Sequence, residues 1–329
     1  MLVLLTSVAH ESFRAQLDRP GVEWMTLGLD GAVRDGSGQE VGWGGARPEV
    51  AWGTSDLFRA GAPIGAFFSA LPRLDSLRWF QSPAAGYDDP VFSGLAVRGV
   101  RITNAHVNSL PIAEFVLRAV LDEFQGAGEW RRLAGERSWR IHDWREVSGT
   151  TWLVVGVGGI GSEVAVRARA LGARVIGCRR HPSPDDPTDV TVTPDRLAEV
   201  VGEADVTVLA VPATPATTDL VDAPLLARMK EGSVLVNVGR GTLVDEDALL
   251  SALDRGIPAV AVLDVFRTEP LPDDHPFWTH PSVRVTPHNA AGGVGRLQRQ
   301  ADLFSTNLDR YRAGEPLLND VTDQVLGAS

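Results

Sequence analysis

The sequence predicts an α/β protein of two domains, the larger built on a doubly wound parallel sheet. Three observations carry that reading. At 329 residues the chain exceeds what one hydrophobic core usually organises. Short, charge-free, β-branched runs recur through its second half at 152–155, 206–211, 234–238 and 260–263, as strands buried on both faces require. Stretches with helical spacing separate these runs, so strands and helices alternate, which makes the sheet parallel.

Composition narrows the class. A formal charge of −11 argues against a general binder of nucleic acid or anionic membranes. Hydrophobic content of 44% and charged content of 22% are those of an ordinary soluble globular protein. Cys178 is the only cysteine, so no intrachain disulfide can form and a cytoplasmic setting is expected. Its thiol reads as a small filler at a strand end, with a reactive role as the alternative. The opening MLVLLTSVAHESF has too short an apolar run for a signal peptide and reads as a first strand. No stretch approaches the roughly 18 apolar residues of a membrane span. No spacing of His, Cys and Asp suggests a metal site.

In the first half, 2–5 and 50–52 are expected as strands and 12–17 as a short helix. The Gly-rich, charged segment 30–45 between them reads as a mobile surface loop. Helical spacing over 64–71 stops at Pro72, and strands at 77–81 and 101–103 complete a small α/β domain without a phosphate motif. Residues 111–125, PIAEFVLRAVLDEFQ, carry a broad apolar stripe behind Pro111 and predict a strong helix for core and subunit packing. The proline-rich HPSPDDPTDV (181–190) shows no evident chemistry. A last helix over 293–312 has a charged face and returns the chain to the first domain.

The centre of the second half is 150–181. The 152–155 strand runs into Gly156-Val157-Gly158-Gly159-Ile160-Gly161, then a helix with Val164, Ala165, Ala168 and Leu171 at helical spacing, then a strand at 174–177. Strand, G-x-G-x-x-G turn, helix and strand make the βαβ unit that binds a dinucleotide, so the larger domain reads as a Rossmann domain. Gly156 permits the turn, Gly158 admits the pyrophosphate, and Gly161 lets the helix approach the strand. The free N–H groups at the helix start, from Gly159 and Ile160 on, face the anion.

The end of the second strand selects the dinucleotide. An NAD site places Asp or Glu there. Here Cys178 is followed by Arg179 and Arg180, two guanidiniums able to clamp a 2′-phosphate, so NADP(H) is expected over NAD. Two alternatives stay open: the arginines as ordinary surface charges, and Asp185 or Asp186 looping back to the ribose. Val211, Pro212, Val238 and Asp264, at the ends of later strands, are further candidates to line the cofactor.

Ligands of an open parallel sheet bind outside the carboxyl ends of its strands. Arg240, Asp264, Glu269 and His288 all fall at or just after such ends. An arginine, carboxylates and a histidine facing a dinucleotide crevice suit hydride transfer to a small anionic carbonyl compound. Arg240 by itself could also serve as a helix cap or an interdomain ion pair.

These residues carry a resemblance. VGVGGIG (155–161), NVGRG (237–241), LDVFRTEPL (263–271) and TPHNAAG (286–292), with YD at 87–88 and PIAE at 111–114, resemble the D-isomer-specific 2-hydroxyacid dehydrogenases, glyoxylate/hydroxypyruvate reductase-like members in particular. The resemblance implies a flavodoxin-like α/β substrate domain, 1–103 with 294–329, and a dinucleotide-binding domain, 104–293. It also implies a homodimer formed through the latter, with helix 111–125 as a candidate interface.

Roles follow by the same resemblance. Arg240 would hold the substrate carboxylate and carbonyl oxygen through its planar fork. His288 would donate the proton during reduction and accept it in reverse, with Glu269 orienting the imidazole and favouring its charged form. Asp264 would lie near the nicotinamide, and backbone N–H groups of Ala85 and Gly86 would complete the carboxylate site. The implied substrate is a small 2-oxo acid or D-2-hydroxy acid. Two alternatives remain: an NAD-dependent dehydrogenase of a larger hydroxy acid, and a non-catalytic dinucleotide sensor like the C-terminal-binding-protein corepressors. His106-Val107-Asn108 stands where many relatives have small residues, which leaves the pocket shape open.

Overall fold

The computed structural model describes residues 1–59, 61–84, 86 and 89–327. It forms two compact units, Met1–Asn108 with the chain from Val294 onward, and Ser109–Gly293. Among the described residues no helix is long and apolar enough to cross a membrane.

The first unit is a six-stranded sheet of β1 (Leu2–Thr6), β2 (Glu23–Leu27), β3 (Val33–Arg34), β4 (Val50–Trp52), β5 (Trp79–Gln81) and β6 (Arg101–Thr103). Their order is β3-β2-β1-β4-β5-β6, parallel throughout except for the β2–β3 pair. Without β3 this is the 2-1-3-4-5 order of flavodoxin-like sheets. Side chains alternate between two cores, as the two-residue period of a strand dictates. Leu4, Ala51, Phe80 and Ile102 face one core, while Val3, Leu5, Trp52 and Trp79 face the other. The second core is closed by the helix Arg296–Ala313, whose Phe304 stacks on Trp52 at 4.5 Å and on Trp79 at 5.2 Å. That stacking ties the helix Arg296–Ala313 to the chain's first hundred residues.

The expected loop over 30–45 is partly ordered instead. Val33 is fully buried and Val33–Arg34 pairs with β2, while Gly42–Gly45 forms one helical turn. Two strand residues among glycines leave no period to read. The boundary between units also falls five residues later than 103. Asn104 N–H donates to the Asn319 carbonyl (3.1 Å), Ala105 N–H to Ala84 (2.9 Å) and the Asn108 amide to Pro83 (3.1 Å), which holds 104–108 to the first unit.

The second unit holds seven strands: β7 (Thr151–Val155), β8 (Arg174–Cys178), β9 (Val190–Val192), β10 (Val206–Leu209), β11 (Val234–Asn237), β12 (Val260–Leu263) and β13 (Val283–Val285). The order is β13-β12-β11-β10-β7-β8-β9, every pair parallel. β7 and β10 are neighbours although two strands intervene in sequence. The winding direction reverses there, which is where open sheets take their ligand. Along β7, Trp152 and Val154 pack under the helices Ser109–Phe124 and Gly159–Ala170, and Leu153 and Val155 face the opposite core. β9 has no counterpart among the expected strands; it lies just after the proline-rich stretch and is only three residues long.

Candidate active site

The glycine turn predicted to take a dinucleotide lies at the end of β7. Gly156 has φ +97°, and a Cβ there would lie 2.6 Å from the Ala210 carbonyl oxygen and 2.7 Å from Val211 Cγ1. The turn therefore presses against the end of β10, and only glycine fits. At Gly161 a Cβ would run into the Gly156 carbonyl, which seats the helix Gly159–Ala170 directly on the turn. Gly158 differs, because a Cβ there would meet open space. Its smallness serves no packing in the chain and leaves room for a ligand. The first intrahelical bond is Ser162 N–H to Gly158. The N–H groups of Gly159, Ile160 and Gly161 thus lack intrahelical acceptors, an arrangement suited to a pyrophosphate. Val211 is half-buried beside the turn, Pro212 is exposed and Val238 is buried.

At the end of β8, Cys178 is buried, and burial, with Asp195 nearby, pushes its thiol up to about 11. It is a filler rather than a nucleophile. Arg179 does not stand alone. Its Nη1 donates to Asp186 Oδ1 at 2.6 Å, and Ser183 N–H donates to Asp186 Oδ2 at 2.9 Å. Burial pushes the Asp186 carboxyl up, but the Ser183 N–H and the Arg179 guanidinium outweigh it and hold the group below its ordinary value. So Asp186 does loop back, and it meets Arg179. Arg180 and Asp185 are exposed.

The ring of polar groups lies at the ends of β11, β12 and β13. Arg240 follows Val238-Gly239, and its Nη1 donates to the Gly239 carbonyl at 2.7 Å. Asn237, almost fully buried, clamps this turn by donating to the Arg240 carbonyl (2.9 Å) and accepting from Gly239 N–H (3.0 Å). A Cβ at Gly241 would run into the backbone of Phe266, so the arginine turn is packed against the chain leading to Glu269. Glu269 Oε1 accepts from Phe266 N–H at 3.0 Å, and its Oε2 lies 2.7 Å from His288 Nδ1. A carboxylate only accepts, so Nδ1 carries the proton and Nε2 is the nitrogen left for chemistry. The imidazole is 53% exposed, which keeps that nitrogen reachable.

His288 has φ +50°, a conformation costing a non-glycine residue about 1–3 kcal/mol. Asp264 holds it there. The Asp264 carbonyl accepts from His288 N–H (2.8 Å), and its carboxylate takes Thr286 Oγ1 (2.6 Å), Asn289 N–H (2.9 Å) and Ala290 N–H (2.9 Å). Asp264, expected beside the nicotinamide, is thus occupied as the anchor of the histidine turn. This role, like that of Asn237, has no signature in the local sequence. In the first unit, Gly86 is half-buried after β5, while Ala85, Tyr87 and Asp88 lie outside the described residues.

A family model described as D-isomer specific 2-hydroxyacid dehydrogenase, NAD binding domain, matches residues 117–290. The chain belongs to this family. A glyoxylate reductase of Korarchaeum cryptofilum is 32% identical over 80% of this chain and 81% of its own. Among solved structures, a D-isomer specific 2-hydroxyacid dehydrogenase family protein of Aeromonas salmonicida is similar with a TM-score of 0.80 at 28% identity, covering 97% of each chain. An NADPH-dependent glyoxylate/hydroxypyruvate reductase of Sinorhizobium meliloti, in complex with NADP and sulfate, is similar with a TM-score of 0.78 at 26% identity, covering 99% of each. As a member of the D-2-hydroxyacid dehydrogenase family the protein is an NAD(P)-dependent oxidoreductase with a two-domain α/β fold.

Proposed function

We propose that the protein reduces a small 2-oxo acid of the glyoxylate or hydroxypyruvate kind with NADPH. The observation that carries this reading is the 2.7 Å contact of Glu269 with His288 Nδ1. It leaves Nε2 to deliver a proton to the carbonyl oxygen, and to take it back in the oxidative direction. Arg240, its fork oriented by the Gly239 carbonyl, binds the carboxylate and the carbonyl oxygen and stabilises charge that develops on the latter. Gly86 N–H is assigned to the substrate carboxylate. The glycine turn, Val211, Pro212 and Val238 are assigned to a bound nicotinamide dinucleotide, which supplies the hydride.

The preference for NADPH rests on Cys178, where NAD sites carry an acid, and on the two arginines after it. Asp186 fixes Arg179 through one nitrogen, and Arg180 is exposed. Initial rates with NADPH and NADH across a panel of 2-oxo acids test both assignments. Replacing Arg179 and Arg180 together by alanine is expected to raise KM for NADPH by about 10–100-fold, the weight of one charged hydrogen bond, with little change for NADH. Equal effects on the two cofactors would make the pair ordinary surface charge. Turnover with NADH alone would favour the NAD-dependent alternative, and tight cofactor binding without turnover the sensor.

A homodimer through the second unit fits an apolar feature of that unit. Helix Ser109–Phe124 spends most of its stripe (Ile112, Val116, Val120, Phe124) on its own sheet. The chain that follows displays Trp139 and Ile141 at 96% and 93% exposure, with Trp130 and Trp144 nearly half exposed. Large apolar residues gathered in this way mark an interaction surface. Sedimentation at micromolar concentration is expected to show a dimer that Trp139→Ser with Ile141→Ser dissociates; a wild-type monomer removes the reading.

A further inference from the structure

We propose that Gln300 is a positioning residue for the reaction: it joins the turn after β4 to the turn after β5 and so sets the backbone that presents Gly86. The proposal rests on the assignment of Gly86 to the substrate carboxylate.

Gln300 is fully buried in the helix Arg296–Ala313, and both ends of its amide are used. Its Oε1 accepts from Ser55 N–H at 3.0 Å, three residues past β4. Its Nε2 donates to the Pro83 carbonyl at 3.0 Å, two residues past β5. Asn108 gives the same carbonyl a second donor at 3.1 Å. Gly53 shows how tightly the two turns are pressed together, since a Cβ there would lie 2.7 Å from Pro83 Cδ. The next link of the β5 turn is fixed as well: Ala84 N–H donates to Ser82 Oγ (3.1 Å), and its carbonyl accepts from Ala105 N–H (2.9 Å).

The requirement is chemically narrow. One turn offers a buried N–H and the other a buried carbonyl, so the bridge must accept at one end and donate at the other. A neutral primary amide does so in a single plane, whereas an ionised carboxylate only accepts and an apolar side chain does neither. The bridge is made to main-chain groups of Ser55 and Pro83 rather than to substrate, so Gln300 acts through the backbone it holds. Its effect is on where the carboxylate is received, and misplacement of about 1 Å costs about 10²-fold in rate.

Gln300→Glu and Gln300→Met separate this role from general stability. A protonated glutamic acid reproduces both bonds, its carbonyl accepting from Ser55 and its hydroxyl donating to Pro83. The ionised form loses the donor and turns an anion on the Pro83 oxygen. Burial raises the carboxyl pKa, so the acid stays neutral at low pH and ionises as pH rises. The Gln300→Glu enzyme is therefore expected to match wild type in acid and to show KM for the 2-oxo acid climbing about tenfold relative to wild type as the carboxylate forms. Gln300→Met is expected to carry a raised KM at every pH. In both variants kcat at saturation falls less than kcat/KM, and the Kd for NADPH holds. Asn108→Ala, which removes only the second donor, is expected to raise KM a few-fold and serves if the Gln300 variants fail to fold. Folded variants with wild-type KM overturn the proposal, as does a Gln300→Glu profile parallel to that of wild type. A wild-type enzyme without turnover on any 2-oxo acid overturns the functional reading first, and this proposal with it.

Discussion

Replacing His288 by alanine is expected to lower kcat by about 10²–10⁴-fold, the usual weight of a general acid–base group, while the Kd for NADPH stays at the wild-type value. The split follows from geometry. The ring touches Glu269 through Nδ1 and is otherwise half exposed, so its removal opens no core. The turn that carries it is anchored by main-chain groups: the Asp264 carboxylate binds Asn289 N–H and Ala290 N–H whatever side chain stands at 288. Alanine in the same left-handed conformation keeps those bonds. The glycine turn lies at the end of another strand and shares no hydrogen bond with the ring. Single-turnover rates and fluorescence titration with NADPH separate the two effects. Unchanged kcat would remove the proton-donor assignment, and loss of NADPH binding would show that the turn, rather than the imidazole, is the essential part.

The glycine turn was legible because each glycine answers a local demand. Gly156 needs a positive φ, and Gly161 sits where a helix meets its own strand. The buried strands were legible for the same kind of reason, since residues packed on both faces leave an uninterrupted apolar run, as at Trp152–Val155. The anchors were not. Asp264 meets Ala290 across 26 positions, and Gln300 meets Ser55 across 245. A polar side chain whose partner is a distant main-chain group has the same local sequence whether it is buried or solvated. Asp186 shows the intermediate case. Its closeness to Arg179 in sequence permitted a return, but only the fold shows that a turn closed by Ser183 brings it to the guanidinium. Local strain and apolar period are written in the sequence, and the pairing of polar groups is written in the fold.

Arg240→Lys is the second large effect, and it tests geometry more than charge. The substitution preserves a cation at the end of β11 and nearly all of the side-chain length. It is nonetheless expected to lower kcat/KM for the 2-oxo acid by roughly 10²–10³-fold, the loss seen when a donor to a developing oxyanion is removed. The Arg240 guanidinium spends one N–H on the Gly239 carbonyl, and that bond fixes the plane of the fork. Asn237 holds the turn beneath it from both sides, and Gly241 fits it against Phe266 without space for a methyl group. The plane of the guanidinium therefore follows the backbone. A lysine ammonium has rotating donors on a flexible stem and can satisfy the Gly239 carbonyl or one substrate oxygen, but not a carboxylate and a carbonyl oxygen in one plane. Weaker grip on the carboxylate raises KM. Loss of the donor to the carbonyl oxygen lowers kcat, because charge gathers on that oxygen only as the bond order falls. Both parameters must move, and steady-state rates with NADPH saturating measure each. A variant with wild-type KM would take the carboxylate away from Arg240. One with raised KM and wild-type kcat would leave Arg240 as a binding group and shift the stabilisation of the carbonyl oxygen to His288 alone.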